Sequence, residues 1–291
     1  MENKLYRQIP GRFLKYAFLL FLPLFFGCFE PKEGCLNINA TNYAVDADDP
    51  CADCCTLPTL TLSVRHVAEL PNDTVAFRYG TLYPSLVDGR DSFVVDRAHF
   101  FISNIKLVKE GGGEVGVTDT LRLEFASGEA LTIEDNFAKL DRDIFAARKV
   151  GTIITEGNFT KIKLTLGLEE FLLQNDLPTN IPPRHPLNIS EDSLIFEAGT
   201  GYIPNLLIFR PDTLPETDSL IFHFLEPTEI TLPLESPFYV EKGFDVKLTL
   251  KVNYEEWFRF VDFENDSPQA MMEQIGHNLP NVFAVAEIKL E

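Results

Sequence analysis

Short runs of β-type residues, separated by turn residues, extend through most of this chain from Thr59 onward. In the clearest run, residues 244–252, polar side chains such as Lys247 and Lys251 alternate with apolar ones. Successive side chains of a strand point to opposite faces, so this pattern places one face in water and one against a core. Turn signals such as Asp88-Gly89 divide the runs. The pattern predicts an all-β fold, a two-sheet antiparallel β-sandwich.

The sequence has few helix signals. Ser267 and Pro268 suit the N-cap and the first helical position, and Met271 and Ile275 follow at helical spacing. These residues predict a helix near the C-terminal end. Residues 136–148 are expected to form another short helix.

Motifs that carry catalysis are missing from the sequence. It contains no GxGxxG, P-loop, HExxH or GxSxG pattern. Adjacent acids such as Glu169 and Glu170 would point to opposite faces of a strand, so they do not form an acid–base pair by themselves. We therefore expect a protein that is not an enzyme.

The N-terminal segment has the pattern of an export signal. Four basic residues precede a short apolar run, residues 17–26, which is shorter than the roughly 20 residues that span a bilayer. Gly27-Cys28 directly after it resembles a bacterial lipobox, in which the cysteine is lipidated. We expect an outer-membrane lipoprotein, with its periplasmic or surface-exposed face left open. The expected segments are a signal peptide (1–27), a lipidated tether with a Cys-rich module (28–57) and a β-sandwich domain (58–291).

All five cysteines lie before residue 56. With Cys28 lipidated, Cys35, Cys51, Cys54 and Cys55 remain, and an even number in an exported segment predicts two disulfides. Cys54 and Cys55 are adjacent and poorly placed to bridge each other, so each is expected to pair with Cys35 or Cys51. The segment has too few apolar residues for a core, so disulfides must hold this small appendage together.

The Cys-rich module also has clustered oxygen donors. Its pattern, from Gly34-Cys35 to Cys51, resembles modules of exported proteins from Bacteroidetes. Calcium takes clustered oxygen ligands, and a solvated acidic turn is the alternative. The candidate calcium ligands are Asn37, Asn39, Asp46, Asp48 and Asp49.

The charge of the chain limits its partners. The whole sequence has a formal charge of -19, and removal of residues 1–27 leaves about -22. This acidity repels phosphate backbones and argues against nucleic acid as a partner. It also opposes adsorption to anionic lipid, so the expected membrane attachment is the lipid anchor alone.

Four motifs follow one another in a fixed order. Residues 100–107 read Phe-Phe-Ile-Ser-Asn-Ile-Lys-Leu, and residues 157–167 form a Gly-x-aromatic…Ile…Gly segment. Thr200-Gly201-Tyr202 and Phe222-His223-Phe224 come later. Their order resembles the MbnP-like family, named for a methanobactin-associated periplasmic copper protein, over about residues 59–286. The resemblance implies a sandwich that binds copper, with a di-haem peroxidase-like protein as a possible partner.

The resemblance also implies metal ligands. Copper-binding relatives use histidines and an oxidised tryptophan, and His66 and His223 are the matching imidazoles. The family's tryptophan-rich positions read 196–199 here and contain no Trp, and the single tryptophan, Trp257, lies elsewhere. Glu197 could replace it as an oxygen ligand for a harder ion than Cu(I). His277, near the end of the last helix, is a weaker candidate.

Two functions remain open from the sequence. The first is a non-enzymatic envelope lipoprotein that stores, buffers or delivers copper through His66 and His223. The second is a metal-free structural or adhesive surface lipoprotein that binds glycan, peptide or another envelope protein. We favour copper because both histidines are present.

Overall fold

The computed structural model describes residues 30–85, 92–144, 146–173, 177–212, 214 and 218–291. The predicted signal peptide and the lipidation predicted at Cys28 lie outside these residues. Among the described residues, no helix has the length and apolar character needed to cross a membrane. The strands are β1 (Glu33–Gly34), β2 (Asp49–Pro50), β3 (Thr59–Leu70), β4 (Asp73–Ala76), β5 (Leu82–Pro84), β6 (Ser92–Lys109), β7 (Glu114–Gly116), β8 (Thr120–Glu124), β9 (Ala130–Glu134), β10 (Ala138–Asp141), β11 (Arg148–Thr152), β12 (Gly157–Leu166), β13 (Phe196–Glu197), β14 (Gly201–Tyr202), β15 (Asn205–Pro211), β16 (Leu220–Phe224), β17 (Thr228–Val240), β18 (Val246–Asn253) and β19 (Phe283–Leu290). The helices are α1 (Tyr254–Trp257) and α2 (Pro268–Asn278), and 3₁₀ turns cover Glu170–Leu173, Ser193–Ile195 and Leu279–Val282.

The larger sheet has eight strands arranged around β6. Its order is β16-β15-β6-β12-β17, and β5, β7 and β10 pair with other stretches of β6. All of these pairings are antiparallel. Within the described part of the chain β16 pairs only with β15, so it forms one edge of this sheet.

The smaller sheet has five strands. Its order is β11-β3-β18-β19, with β4 also paired to β3. β3 and β18 run parallel, from Leu60 opposite Val246 to Val67 opposite Asn253, and the other pairs are antiparallel. A parallel pair needs a long connection. Here the connecting segment contains strands β4 to β17.

Apolar side chains from both sheets fill the space between them. Leu62 of β3 and Leu250 of β18 meet Phe100 of β6 and Leu164 of β12 in one buried cluster, each at most 2% exposed. Burial of each such side chain contributes about 1.5–3 kcal/mol. The predicted all-β sandwich is therefore confirmed.

The strand β18 shows the predicted alternation directly. Val246, Leu248 and Val252 are fully buried, whereas Lys247 and Lys251 are partly exposed on the opposite face. The β propensity and the two-residue period of this segment therefore agree with its place in the small sheet.

Two irregularities in β6 decide which of its side chains face the core. The register shifts near Asp96 and again at Asn104. Asn104 has a φ of 52°, a left-handed conformation, and its backbone N–H donates to Oδ1 of Asn136 at 3.1 Å. Each bulge adds a residue and moves the core-facing positions between odd and even numbers. The core-facing residues are Phe93, Val95, Ala98, Phe100, Ile102, Ile105 and Leu107.

One of the two predicted helices is present. Ser267 caps α2, where its Oγ accepts a hydrogen bond from the Ala270 N–H at 3.2 Å, and Met271 and Ile275 are buried. The helix expected within residues 136–148 is wrong. That segment contains β10, which pairs with β6, and the first residue of β11. Pairing with β6 overrides the local preference.

The Cys-rich module is held by two disulfides, Cys35–Cys55 and Cys51–Cys54. Both agree with the prediction that Cys54 and Cys55 each pair with an earlier cysteine. The module contacts the turn before β18, where a Cβ on Gly243 would lie 2.9 Å from the carbonyl oxygen of Ala40. Gly243 has a φ of 77°, so both its backbone conformation and this contact require glycine.

Candidate metal centre

His223 lies on the outer face of the large sheet. Its neighbours in β16, Phe222 and Phe224, belong to or pack against the core between the sheets. Alternate residues of a strand point to opposite faces, so the His223 ring points away from that core. Its side chain is 31% exposed, and its Nδ1 lies 3.7 Å from Oε2 of Glu197.

A short hairpin holds Glu197 beside this ring. β13 and β14 pair Glu197 with Gly201, and the hydroxyl of Thr200 donates to Glu197 Oε2 at 3.1 Å. Phe196 packs edge-on against Tyr202, whose hydroxyl donates to the Leu187 carbonyl at 2.8 Å. The hairpin is therefore anchored on one side, and the Glu197 carboxylate, 55% exposed, faces solvent and His223.

The pair offers one nitrogen and one oxygen donor to an ion. Ligand atoms about 2 Å from a shared centre are at most roughly 4 Å apart, and the 3.7 Å separation of Nδ1 and Oε2 falls within that limit. Imidazole with carboxylate suits Cu(II) better than Cu(I), which prefers sulfur. Both side chains are partly exposed, so water or a further donor could complete the coordination.

His66 has different surroundings. It lies on β3, on the face that carries Leu62 and Ala68 into the core, and its Nδ1 is 3.1 Å from the Tyr254 hydroxyl. Burial first, and the charge of Arg142 second, lower the pKa of His66 to about 4, so the ring is neutral at pH 7. Its Nε2 is buried as well.

The structure does not bring His66 and His223 together. His66 points from the small sheet into the space between the sheets, and His223 points outward from the large sheet. The family resemblance matches both residues to the family's histidines by position in the sequence. The face to which each side chain points depends on the strand and the sheet that contain the residue. Of the predicted ligands, the structure joins His223 with Glu197.

Two further residues from the sequence analysis, His277 and Trp257, have no recorded contact with His223 or Glu197. His277 is exposed in the last turn of α2, and its ring makes no hydrogen bond or ion pair with described residues. Trp257 is fully buried against Phe100, with 4.8 Å between ring centroids. It therefore cannot supply an oxidised-tryptophan ligand beside His223.

The three acidic residues among the predicted calcium ligands, Asp46, Asp48 and Asp49, do not converge on one point. Asp46 pairs with the Lys32 ammonium group, and Asp48 Oδ2 accepts from the Lys32 backbone N–H at 3.0 Å. Asn37 Oδ1 accepts from the Asn39 N–H at 3.0 Å. Within the ranges that the structure describes, one group of three or more potential Cys, His, Asp or Glu ligands converges. It consists of Cys51, Cys54 and Cys55, whose sulfurs are already in disulfides.

His99 is a second imidazole on the outer face of the large sheet. His99 of β6 pairs with Leu206 of β15, and Leu206 pairs on its other side with His223 of β16. The ring is fully buried and edge-on to Phe101, and its Nε2 lies 2.9 Å from the Ile203 carbonyl. This carbonyl fixes the proton on Nε2 and leaves the Nδ1 lone pair buried and unpartnered among described residues. The pairing of three strands that places His99 and His223 on one face cannot be read from the sequence.

The family model MbnP matches residues 58–273. A solved structure, MbnP from Methylosinus trichosporium, is similar at 14% sequence identity with a TM-score of 0.35, covering 66% of this chain and 76% of that chain. No curated protein matches the chain.

Proposed function

We propose that this chain, which belongs to the MbnP family, is a non-enzymatic protein that binds copper in the bacterial cell envelope. A lipid on Cys28 would attach it to the outer membrane, because the sequence places that cysteine directly after an export signal. Family membership supports the association with copper. The ligands that we assign come from the geometry of this chain.

The observation that carries the proposal is the His223–Glu197 pair. Two donor atoms of suitable type lie 3.7 Å apart on an exposed surface, and the hairpin that carries Glu197 is anchored through Tyr202. His66 is excluded from this ligand set because it faces the core on the other sheet. It is a neutral imidazole hydrogen-bonded to Tyr254 and has a structural role.

Two protein ligands leave several coordination positions for exchangeable donors. A fully enclosed set of ligands retains a metal, whereas an open and partly exposed set allows a partner's ligand to enter. We therefore propose delivery or buffering of Cu(II) rather than long-term storage.

Copper titration of the purified chain tests this proposal. Wild type should bind one equivalent of Cu(II), with an absorption spectrum of mixed nitrogen and oxygen ligands. Because each variant removes one of two protein ligands, His223→Ala and Glu197→Gln should each weaken binding at least about tenfold, or roughly 1.4 kcal/mol. Affinity can be measured by competition with a chelator of known strength.

His66→Ala is the matched control, since it removes an imidazole on the opposite side of the large sheet. This variant should keep the affinity of wild type. Loss of copper in His66→Ala together with retention in His223→Ala would overturn the assigned ligands. A wild-type chain that binds no copper would overturn the proposal and favour the metal-free structural or adhesive alternative.

A further inference from the structure

A cavity of about 260 Å³ opens on the chain where β6, β10, the start of β11 and a proline-rich loop meet. His223 and Glu197 do not line it, so it is distinct from the candidate metal centre. Five of the 25 Lys and Arg residues of the chain line this cavity, against four of its 44 Asp and Glu residues. In an acidic protein this concentration of basic side chains indicates a local preference for negative charge.

Ion pairs fix the floor of the cavity. Asp192 Oδ2 accepts from Lys139 Nζ at 2.6 Å and from Arg97 Nη2 at 3.0 Å. The same Arg97 nitrogen lies 2.7 Å from Asp141 Oδ2, and the carboxylates of Asp141 and Asp192 are 2% and 10% exposed. These four side chains neutralise one another and form a rigid polar base.

The rim has an excess of positive charge. Arg148, Lys149 and Arg184 line the cavity and have no carboxylate partner among the described residues. Of the two rim acids, Asp143 pairs with Arg142 at 2.9 Å, and Glu191 has no basic partner within the described ranges. Three cations therefore face one uncompensated carboxylate across the opening.

The loop that carries Arg184 is held in place by its neighbours. His185 Nε2 lies 3.0 Å from Asp135 Oδ1, and His185 Nδ1 accepts from the Leu187 N–H at 3.1 Å. Asn188 Nδ2 donates to the Pro182 carbonyl at 3.1 Å. Arg184 itself has a φ of 64°, a left-handed conformation that non-glycine residues seldom adopt. A loop that is already ordered loses little conformational freedom when it binds a ligand.

We propose that this cavity is a binding site for a small multivalent oxyanion of the carboxylate or phosphate class. Guanidinium groups match the paired oxygens of both classes, and lysine adds a point charge. The volume is below the usual range of 300–1,000 Å³ for ligand pockets, which excludes large ligands. The overall negative charge of the chain disfavours long polyanions, whose remaining charges would extend over acidic surface.

Isothermal titration calorimetry on the full chain tests the proposal with two probes, inorganic phosphate and succinate, at constant ionic strength set by sodium chloride. Wild type should bind one equivalent of at least one probe, and binding should weaken as salt increases. Binding of one probe alone assigns the class of oxyanion. Heat from neither probe would overturn the proposal.

Variants test whether the rim residues make the site. Arg184→Gln should weaken binding about tenfold through loss of a charge-assisted contact, and Arg148→Gln/Lys149→Gln should abolish measurable binding. Arg78→Gln/Lys161→Gln removes two exposed cations outside the cavity and should bind as wild type does. Equal affinity in the rim variants and in this control would reject the site.

The proposals of an anion site and of a copper site can be refuted independently of each other. His223→Ala should bind phosphate or succinate with wild-type affinity, because His223 does not line the cavity. Parallel loss of anion binding in this variant would show that the assigned cavity is wrong, whatever the copper titration gives.

Discussion

At the scale of single residues, Glu255 shows what burial does to a charge. The residue is 1% exposed, and neither of its carboxylate oxygens has a hydrogen-bond partner among described residues. Burial, and then the charge of Glu256, raise the pKa of Glu255 to about 8. The side chain is therefore mostly protonated at pH 7, and its ionisation opposes folding.

This pKa predicts an unusual dependence of stability on pH. Between the ordinary carboxyl pKa of 4.5 and the raised pKa of about 8, the folded state holds a proton that the unfolded state releases. The Glu255 contribution to the free energy of unfolding therefore falls as pH rises through that window and is constant above it. Glu255→Gln should match wild type near pH 5 and exceed its unfolding free energy by about 1–3 kcal/mol at pH 8.5, measured by urea denaturation.

Glu256→Gln is the control for this effect. Glu256 pairs with Arg259, and its charge is the smaller cause of the raised pKa of Glu255. Its replacement therefore removes an attractive contact and gives a smaller gain with rising pH than Glu255→Gln does. If Glu255→Gln changed stability equally at pH 5 and pH 8.5, the raised pKa of Glu255 would be refuted.

At the scale of elements, the bulge at Asn104 decides what the longest strand presents to each side. It returns Ile105 and Leu107 to the core after Phe101 and Ser103 have faced outward. Asn104 tolerates the left-handed conformation better than a β-branched residue does. The Asn in the Ile-Ser-Asn-Ile motif thus has a physical role in this chain, which is to place the bulge.

Substitution at this position tests the role of the bulge. Asn104→Val should lower the free energy of unfolding by about 1–3 kcal/mol, because a β-branched side chain is strained at a φ of 52°. Asn104→Gly should stay within about 1 kcal/mol of wild type, since glycine adopts this conformation freely. Chemical denaturation measures both. Equal losses in the two variants would show that the Asn104 side chain, rather than its backbone conformation, matters most.

Much of the fold could be predicted from local pattern. The alternation in β18 and the cap at Ser267 both depend on near neighbours in sequence, and both are confirmed. The predicted helix at residues 136–148 is wrong because the β structure of β10 depends on pairing with β6, more than thirty residues away in the chain. A local preference cannot represent such a pairing.

The candidate site was only partly predictable for a similar reason. His223 and Glu197 followed from the family resemblance, and the structure places them together. His66 followed from the same resemblance, but a shift of one residue or a different sheet reverses the direction of a side chain. The cavity cations Arg97, Lys139 and Arg184 come from three separate segments, and no spacing in the sequence connects them.

At the scale of the whole molecule, the disulfides and the sandwich core are separate sources of stability. Among the residues that the structure describes, the buried cluster between the sheets begins at Leu60, and both disulfides lie before Thr56. Disulfide loss should therefore affect the Cys-rich module and leave the sandwich largely intact.

The double variant Cys35→Ser/Cys55→Ser tests this separation. Its main calorimetric transition should shift by less than about 2 °C, because less than roughly 1 kcal/mol of sandwich stability is removed. Limited proteolysis followed by mass spectrometry should show faster cleavage within residues 35–57. A decrease of the main transition by about 8 °C or more would mean that the module supports the sandwich.

The parallel pair of β3 and β18 has a consequence for biosynthesis. Ser63 and Thr249, whose hydroxyls lie 2.8 Å apart at the centre of that pair, are 186 positions apart in the chain. A nascent polypeptide therefore presents its first long strand well before the partner strand has been synthesised. Because distant contacts of this kind slow folding, the apolar side of β3 stays open to aggregation until β18 can pair with it, and holdase chaperones are the expected protection.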